Sequence, residues 1–573
     1  MGEGRHGEQA GMRGGIQDAM GRVRRTAPRG GAAWAPSALA VLALLVAAPI
    51  IAVFAGAVAP FGEALGETSA ATQRHVWSVN GPRYLTATIS LCLLVAVGAT
   101  VIGAGAALLV ALTDFPGRRI FAVALALPFA IPAYVAAYAY GDVFGPFGPI
   151  AALLGPELVR AGALPEIRSL PGAAFVLALA SYPYVYLAMR ASLSARSGAY
   201  LEAARSLGAA PLSASLRILL AAGRPALVGG LALALMETAA DYGVADYFGV
   251  PTLSVGIFRT WYGLGDLAAA TQLAAGLFLA VLLLVVMEEA GRRGGAADAA
   301  RTHRARRRLR LSPAHAALAI LACAAPVTLG FAVPVGVLLA AMEPGSSLGA
   351  ARGLGAAALN TGAVALAGAA AATLAALVLA YAGRTARGGA AKLFLRIATF
   401  GYAVPGAVIA IGVLALTAGL ARAPGAVWIS GAGGIGVLLY AYVARFLTAG
   451  YNTAAGGLAQ IDPQTDAAAK SLGAGAGRIL LSLHWPLARG AVLAGAAIVA
   501  IDIAKELPAT LLLRPFNFET LSTHIYRLAS DERLGDAAPA ALILIGVSLI
   551  PATLLSLAGG PIGRRGAAPA ADS

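Results

Sequence analysis

Apolar stretches of roughly 20 residues recur along the whole chain, separated by short polar or basic connections. Each is long enough to cross a hydrocarbon layer of about 30 Å as a helix. Clear cases are 36–59 (PSALAVLALLVAAPIIAVFAGAVA), 267–287 (LAAATQLAAGLFLAVLLLVVM) and 539–558 (PAALILIGVSLIPATLLSLA). About twelve such stretches stand near 36–59, 85–112, 120–140, 173–191, 225–247, 267–288, 314–342, 356–382, 393–417, 430–448, 488–508 and 537–558. The pattern predicts an all-α, polytopic membrane protein. Composition agrees: of 573 residues, 59% are hydrophobic and 12% charged, with a mean hydropathy of +0.77. That is too little charge to cover a soluble protein of this size.

Charge then orients the spans. The net charge of +15 would suggest nucleic acid in a soluble chain. Here the basic residues cluster in the first 35 residues (Arg5, Arg13, Arg22, Arg24, Arg25, Arg29), at Arg118–Arg119, in 292–310 (RRGGAADAARTHRARRRLR), in 384–392 and at Arg564–Arg565. Counted from the N-terminus, these segments fall on one side, and the opposite loops 141–171 and 343–354 are poor in Lys and Arg. The positive-inside rule makes the basic side cytoplasmic, with both termini inside and an even number of spans. Topology therefore explains the charge without nucleic acid. The first apolar run follows a 35-residue tail and reads as a retained span, not a cleaved signal. Cys92 and Cys323 lie inside apolar runs, which excludes a disulfide framework or a cysteine metal site and leaves them a packing role.

The chain is also written twice. Residues 200–220 read YLEAARSLGAAPLSASLRILL, and 465–486 read TDAAAKSLGAGAGRILLSLHWP. Aligning Gly208 with Gly473 sets an offset of 265, at which Ala203–Ala204 meet Ala468–Ala469, Ser206–Leu207 meet Ser471–Leu472, and Ile218 meets Leu483. At the same offset Glu237 meets Asp502 and Asp241 meets Glu506; further on, TLSVGIFR (252–259) matches TLSTHIYR (520–527). Each loop falls between the fourth and fifth spans of its half. The chain thus divides into a basic tail (1–35), a first half (36–290), a basic linker (291–312), a second half (313–561) and a short tail (562–573), with the two six-span halves parallel. In each loop an alanine-rich helix should be stopped or bent by the glycine.

These loops resemble the EAA loops of binding-protein-dependent ABC importer permeases, with EAARSLG in the first and DAAAKSLG…LHWP in the second. Three departures stand out: Leu220–Ala221 lacks the family's proline, Trp485–Pro486 lacks its leucine, and the second loop's glutamate position is Ala467, with Asp466 one residue earlier. The stretches METAADYGVADYFGVPTLSVGIFRTW (236–261) and AKELPATLLLRPFNFET (504–520) are most similar to the ferric-iron branch. The resemblance implies a type I permease that hydrolyses no ATP itself. A partner ATPase dimer would do so, coupled through Glu202, Ala203, Ala204, Gly208 and Ile218 in one loop and Asp466, Ala468, Ala469, Gly473, Leu483 and Pro486 in the other. It implies a separate periplasmic binding protein and an inner-membrane location. The chain accordingly lacks GxxxxGK[ST] and HExxH, and the resemblance implies a transporter that is not an enzyme. A twelve-span secondary transporter remains an alternative, since Asp114–Arg119 fits part of its loop signature, though 383–392 does not. So does an ABC permease for thiamine, phosphonate or polyamine.

One stretch raises a physical question. In IDIAKELPATLLLRP (501–515), Asp502, Lys505 and Glu506 sit in apolar surroundings, where an unpartnered charge is costly. Counted from an inner end near 488, Asp502 and Glu506 stand roughly 21 and 27 Å up a helix; Glu237 and Asp241 reach similar heights. The i, i+4 spacing predicts that both pairs face inward. Four carboxylates and Lys505, whose counterpart is Ala240, would then line the pathway near its outer mouth. Carboxylate oxygens suit hard cations, so Glu237, Asp241, Asp502 and Glu506 are candidate transient metal ligands. The bland alternative is that Lys505 pairs with Asp502 or Glu506 to hold helices together, and that Pro508 breaks the helix so that the acids reach interfacial water.

Overall fold

The computed structural model describes residues 34–58, 75–206, 223–292, 308–342, 348–386, 388–421 and 434–558. Most of the predicted tail 1–35, the tail 562–573 and most of the linker 291–312 lie outside them. A helix occupies each of the twelve predicted positions. Their lipid-facing sides are legible: Val41, Leu44 and Ile51 on Ala35–Val58, Leu93, Leu94, Val97 and Val101 on Gly81–Leu112, and Leu359, Leu366 and Leu374 on Leu348–Thr385 are all exposed. Apolar stripes of that length have no reason to face water. The chain is an all-α polytopic membrane protein.

The count of twelve spans is not confirmed. Among the described residues, seven helices are long and apolar enough to cross a bilayer, and two bent pairs raise the number to nine. The bent pairs are Arg118–Ala130 with Ala133–Val143, at 90°, and Gly389–Ala403 with Gly406–Leu420, at 114°. Both break at a proline, Pro132 and Pro405, that caps the second helix with φ near −57° and −55°. Two other expected spans stop early. The helices Arg224–Ala240 and Trp485–Lys505 end at Ala240 and Lys505 rather than continuing to 247 and 508.

The duplication extends to single hydrogen bonds. Thr88 Oγ1 accepts from the Leu253 amide at 2.9 Å, and Thr361 Oγ1 accepts from the Leu521 amide at 2.7 Å. Each threonine donates back into its own helix, to Tyr84 O and Ala357 O. Thr252 caps Leu253–Phe258, and Thr520 caps Leu521–Ser530.

The halves also interlock. The first helix, Ala35–Val58, packs chiefly on Gly389–Ala398, Gly406–Leu420 and Leu348–Thr385 of the second half, besides Leu267–Arg292. Tyr440 donates to Leu45 O at 2.9 Å, and a Cβ on Gly412 would collide with the Pro49 carbonyl, so glycine permits this close approach. The counterpart Pro313–Ala341 packs on helices of the first half and on Leu534–Ala558. There Tyr140 donates to Leu329 O at 2.6 Å, and Gly330 abuts Pro128. Thr113–Asp114 pairs in parallel with Leu309–Arg310, fastening the end of the linker to the first half. Both cysteines are free, Cys323 buried and Cys92 half-buried.

Candidate functional site

The break at the end of the second half's fifth helix has a local cause. Pro508 carries no N–H, so the bond it would have given to Ala504 O is missing. Ser522 Oγ supplies it instead, at 2.6 Å. In the first half Ser254, the counterpart of Ser522, donates through Oγ to Ala240 O, one position further along, at 3.4 Å. The chain then turns, and the acid at the turn caps the short helix that follows. Asp241 Oδ1 accepts from the amides of Val244 (2.9 Å) and Ala245 (3.2 Å), and Glu506 Oε1 accepts from that of Ala509 (3.0 Å). The capped helices are Gly243–Tyr247 and Pro508–Leu513. Asp241 and Glu506 are therefore not i+4 positions on continuous helices, as the spacing implied, but residues of a helix break.

All five predicted residues nevertheless line one cavity of about 190 Å3, together with Arg445, Tyr184 and Tyr402. The 21-residue helix Trp485–Lys505 rises from the 463–484 loop, so the cavity lies some 30 Å from that loop. The four carboxylates share this wall without converging on one centre: among the described residues, no three His, Cys, Asp or Glu side chains group closely enough to hold one metal ion. Two of them are already engaged, Asp241 with amides and Glu506 with an arginine as well.

That arginine was missed in the sequence. Arg445 Nη1 donates to Glu506 Oε1 at 2.7 Å and stands equally close to Oε2, with both side chains buried. Its visible signal was an arginine inside the predicted 430–448 span. Lys505 makes neither ion pair foreseen for it. Its Nζ donates to Phe129 O, in the first half, at 3.2 Å and lies 5.3 Å from the Phe129 ring centre. Gly406 sits against the Arg445–Glu506 pair so closely that a Cβ there would collide with Arg445 Nη1 and Glu506 Oε1.

At the other end, the second predicted coupling loop is a helix, Pro463–Ser471, capped by Asp462 and stopped at Gly473. The stop has the geometry of a Schellman motif: Ala474 N bonds Ala469 O, Gly473 N bonds Lys470 O, and Gly473 holds φ at +79°. Ala468, Leu472, Gly473 and Pro486 are exposed, Ala469 and Leu483 half-buried. Asp466 points inward. It accepts from Arg384 Nε at 3.1 Å and pairs with His484 Nε2 at 2.7 Å, while Arg384 also donates to Leu458 O and Ile461 O. Burial opposes ionisation of Asp466, but its hydrogen bonds to His484 and Arg384 outweigh this and hold its pKa below the usual carboxylate range. Neither Arg384 nor His484 was singled out in the sequence. In the first loop, Glu202, Ala203 and Ala204 fall on the helix Leu170–Ser206, and Gly208 and Ile218 lie outside the described residues.

No family model matches the chain. Over 480 residues it is 25% identical to the Fe(3+)-transport system permease protein FbpB 2 of Haemophilus influenzae, a match that covers 82% of this chain and 89% of that protein. It is 28% identical over 133 residues to the sulfate transport system permease protein CysT of Salmonella typhimurium, 23% of this chain and 46% of that protein. It is 27% identical over 192 residues to PhnU of Salmonella choleraesuis, described as a permease for 2-aminoethylphosphonate transport, 32% of this chain and 65% of that protein. All are permeases of ABC importers, proteins that transport and are not enzymes. With its duplicated loop and duplicated fold, the chain is a homologue of the ABC importer permeases.

Proposed function

We propose that this chain supplies both halves of the pathway of an ATP-driven importer for ferric iron in a bacterial inner membrane, with its termini in the cytoplasm. The observation that carries the substrate is the cavity: four carboxylates against two cations leave it a formal charge of −2, on residues from both halves. That sign favours a multivalent cation in a low-dielectric passage and disfavours sulfate or a phosphonate. Glu237 and Asp502, equivalent positions of the two halves, would face the passing ion, while Asp241 and Glu506 set the helix breaks beside it. The similarity to an Fe(3+) permease over most of both chains supports the same choice.

In this reading the loops 200–220 and 465–486 each seat on one subunit of a separate ATPase dimer, and a separate periplasmic protein delivers the ion. The exposed small and apolar surface of Ala468, Leu472 and Gly473 suits a groove in such a partner. Arg384 and His484 would make that seat rigid by fixing Asp466, so that closure of the ATPase moves helices instead of bending a loop.

The test is uptake into liposomes holding the chain, its ATPase and its binding protein, offered Fe(III), sulfate or 2-aminoethylphosphonate. ATP-dependent Fe(III) uptake is expected, and the double variant Glu237→Gln with Asp502→Asn should lower it at least tenfold while ATP hydrolysis persists. Gly473→Arg should abolish uptake without removing the protein from the membrane. Uptake of sulfate or phosphonate alone would overturn the substrate, and uptake driven by a proton gradient without an ATPase would overturn the mechanism.

A further inference from the structure

Three oxygens from the two halves meet beside the charged cavity. Tyr242 Oη lies 2.8 Å from Tyr526 Oη, Tyr526 Oη donates to Asp246 Oδ2 at 2.7 Å, and Tyr242 Oη reaches the same carboxylate oxygen at 3.3 Å. Tyr242 belongs to the wall of the charged cavity. Five residues on, Tyr247 lines a second hollow of about 650 Å3, with Asp142, Glu166 and Glu532. The short helix that carries Asp246 therefore separates the two spaces. Tyr526 and Asp246 are both partly exposed.

The duplication supplies an internal control. At the offsets that align the halves, Tyr242 corresponds to Leu507, Tyr526 to Phe258 and Asp246 to Leu511. The same backbone is thus built in the other half with three apolar side chains. Folding does not require these oxygens, and gathering them near the centre of an apolar bundle has a desolvation cost.

We propose that Tyr242, Tyr526 and Asp246 form a transient site for Fe(III) between the two hollows, a relay on the way to the charged cavity. The inference rests on the ferric reading of the substrate. Phenolate and carboxylate are hard oxygen donors of the kind that hard cations select. Two oxygens at neighbouring corners of an octahedron, each about 2.0 Å from a small cation, stand about 2.8 Å apart. Two edges of the observed triangle already have that length, and the third closes by a few tenths of an ångström. Two phenolates and one carboxylate carry three negative charges, which balance a trivalent ion and not a divalent one. When the site is empty, the two phenolic protons occupy the ring of hydrogen bonds. Binding expels both, so the ion would be held more weakly as pH falls. The remaining coordination positions are left for water or for ligands of the delivering protein.

The full chain in lipid nanodiscs, titrated with Fe(III) supplied as its nitrilotriacetate complex, tests this directly. A visible tyrosinate-to-iron charge-transfer band should appear, with two protons released per ion and an apparent affinity that rises about a hundredfold per pH unit. Tyr242→Phe and Tyr526→Phe should each lose the band and weaken binding at least tenfold, with melting behaviour close to wild type; Tyr247→Phe, beside the site, should change neither. No band in the wild type, or a band that survives both substitutions, overturns the relay. The two readings fail separately. Liposomes that import Fe(III) while nanodiscs show no band leave the ferric substrate standing and remove the site, whereas import of sulfate or phosphonate alone removes both.

Discussion

The two halves of this chain share a backbone plan but not a charge plan. Each has a helix broken at a proline, a fifth helix ended by a capping acid, and a threonine that holds the segment beyond it. Both contribute carboxylates to the cavity, Glu237 and Asp241 from one, Asp502 and Glu506 from the other. The cations come from the second half alone: Arg445 and Lys505 stand where the first half has Ala180 and Ala240, which also line the cavity. The tyrosine–aspartate trio likewise has apolar equivalents. What both halves keep includes the carboxylates of the cavity; what only one half carries, the two cations and the trio's oxygens, is where their chemistry differs.

The comparison can be broken most severely at Arg445. Arg445→Ala strips the partner from a buried Glu506 and should cost roughly 3–5 kcal/mol, because an uncompensated charge is left in the interior. Adding Glu506→Gln, which removes the orphaned charge, should recover most of the loss. Thermal melting of the purified protein in detergent reads both. If the single variant melts with the wild type, the ion pair is not what holds this corner of the second half together.

A smaller effect is expected at Gly406, whose equivalent in the first half is Ala133. Ala133 has no guanidinium beside it and tolerates its Cβ. Gly406→Ala pushes a methyl group into the Arg445–Glu506 pair and should destabilise by about 1–3 kcal/mol, as overpacking does. In the Arg445→Ala background the penalty should largely vanish, since the obstructing group has gone. A double-mutant cycle by melting measures that coupling.

The smallest effect concerns the loops. Position 466 is aspartate in the second loop and Leu201 at the aligned position of the first. Because the folded state holds the Asp466 pKa low, its stabilisation of the loop is complete above the unfolded value of about 3.9 and fades as pH falls through the folded one. Hydrogen exchange across 463–484 should be unchanged from about pH 7 down to about pH 5 and quicken only in stronger acid, after correction for the intrinsic rate. Asp466→Asn should exchange faster throughout and lose this acid step.

Much of this was legible in the residues. Helix positions follow from apolar length, and the duplicated loop from residue-by-residue identity; the glycine stop at 473 is present as read. The five charges do share one cavity, although their spacing suggested the wrong local geometry: an i, i+4 pair requires a continuous helix, and Pro508 ends this one. Arg445 escaped because its partner lies 61 residues away on another helix, a pairing that spacing along one element cannot reveal. Asp246 and Tyr526 escaped for the same reason, being far apart in the chain and joined only where the halves meet. The span count of twelve is not confirmed, and two of the twelve stretches are bent at prolines, which hydropathy alone does not register.

The interlocking of the first helices bears on how the chain is made. Ala35–Val58 leaves the ribosome first, yet its main seat, the bent pair 389–420, is among the later segments to be synthesised. At ordinary elongation rates of about 5–20 residues per second, that helix waits on the order of tens of seconds with only lipid or the insertion machinery to shield it. Its nearly uninterrupted apolar sequence, free of Asp, Glu, Lys and Arg from 35 to 58, suits such a wait. Severing the gene at the linker would separate this helix from its seat onto two polypeptides, so the halves would have to find each other within the membrane before either could finish folding.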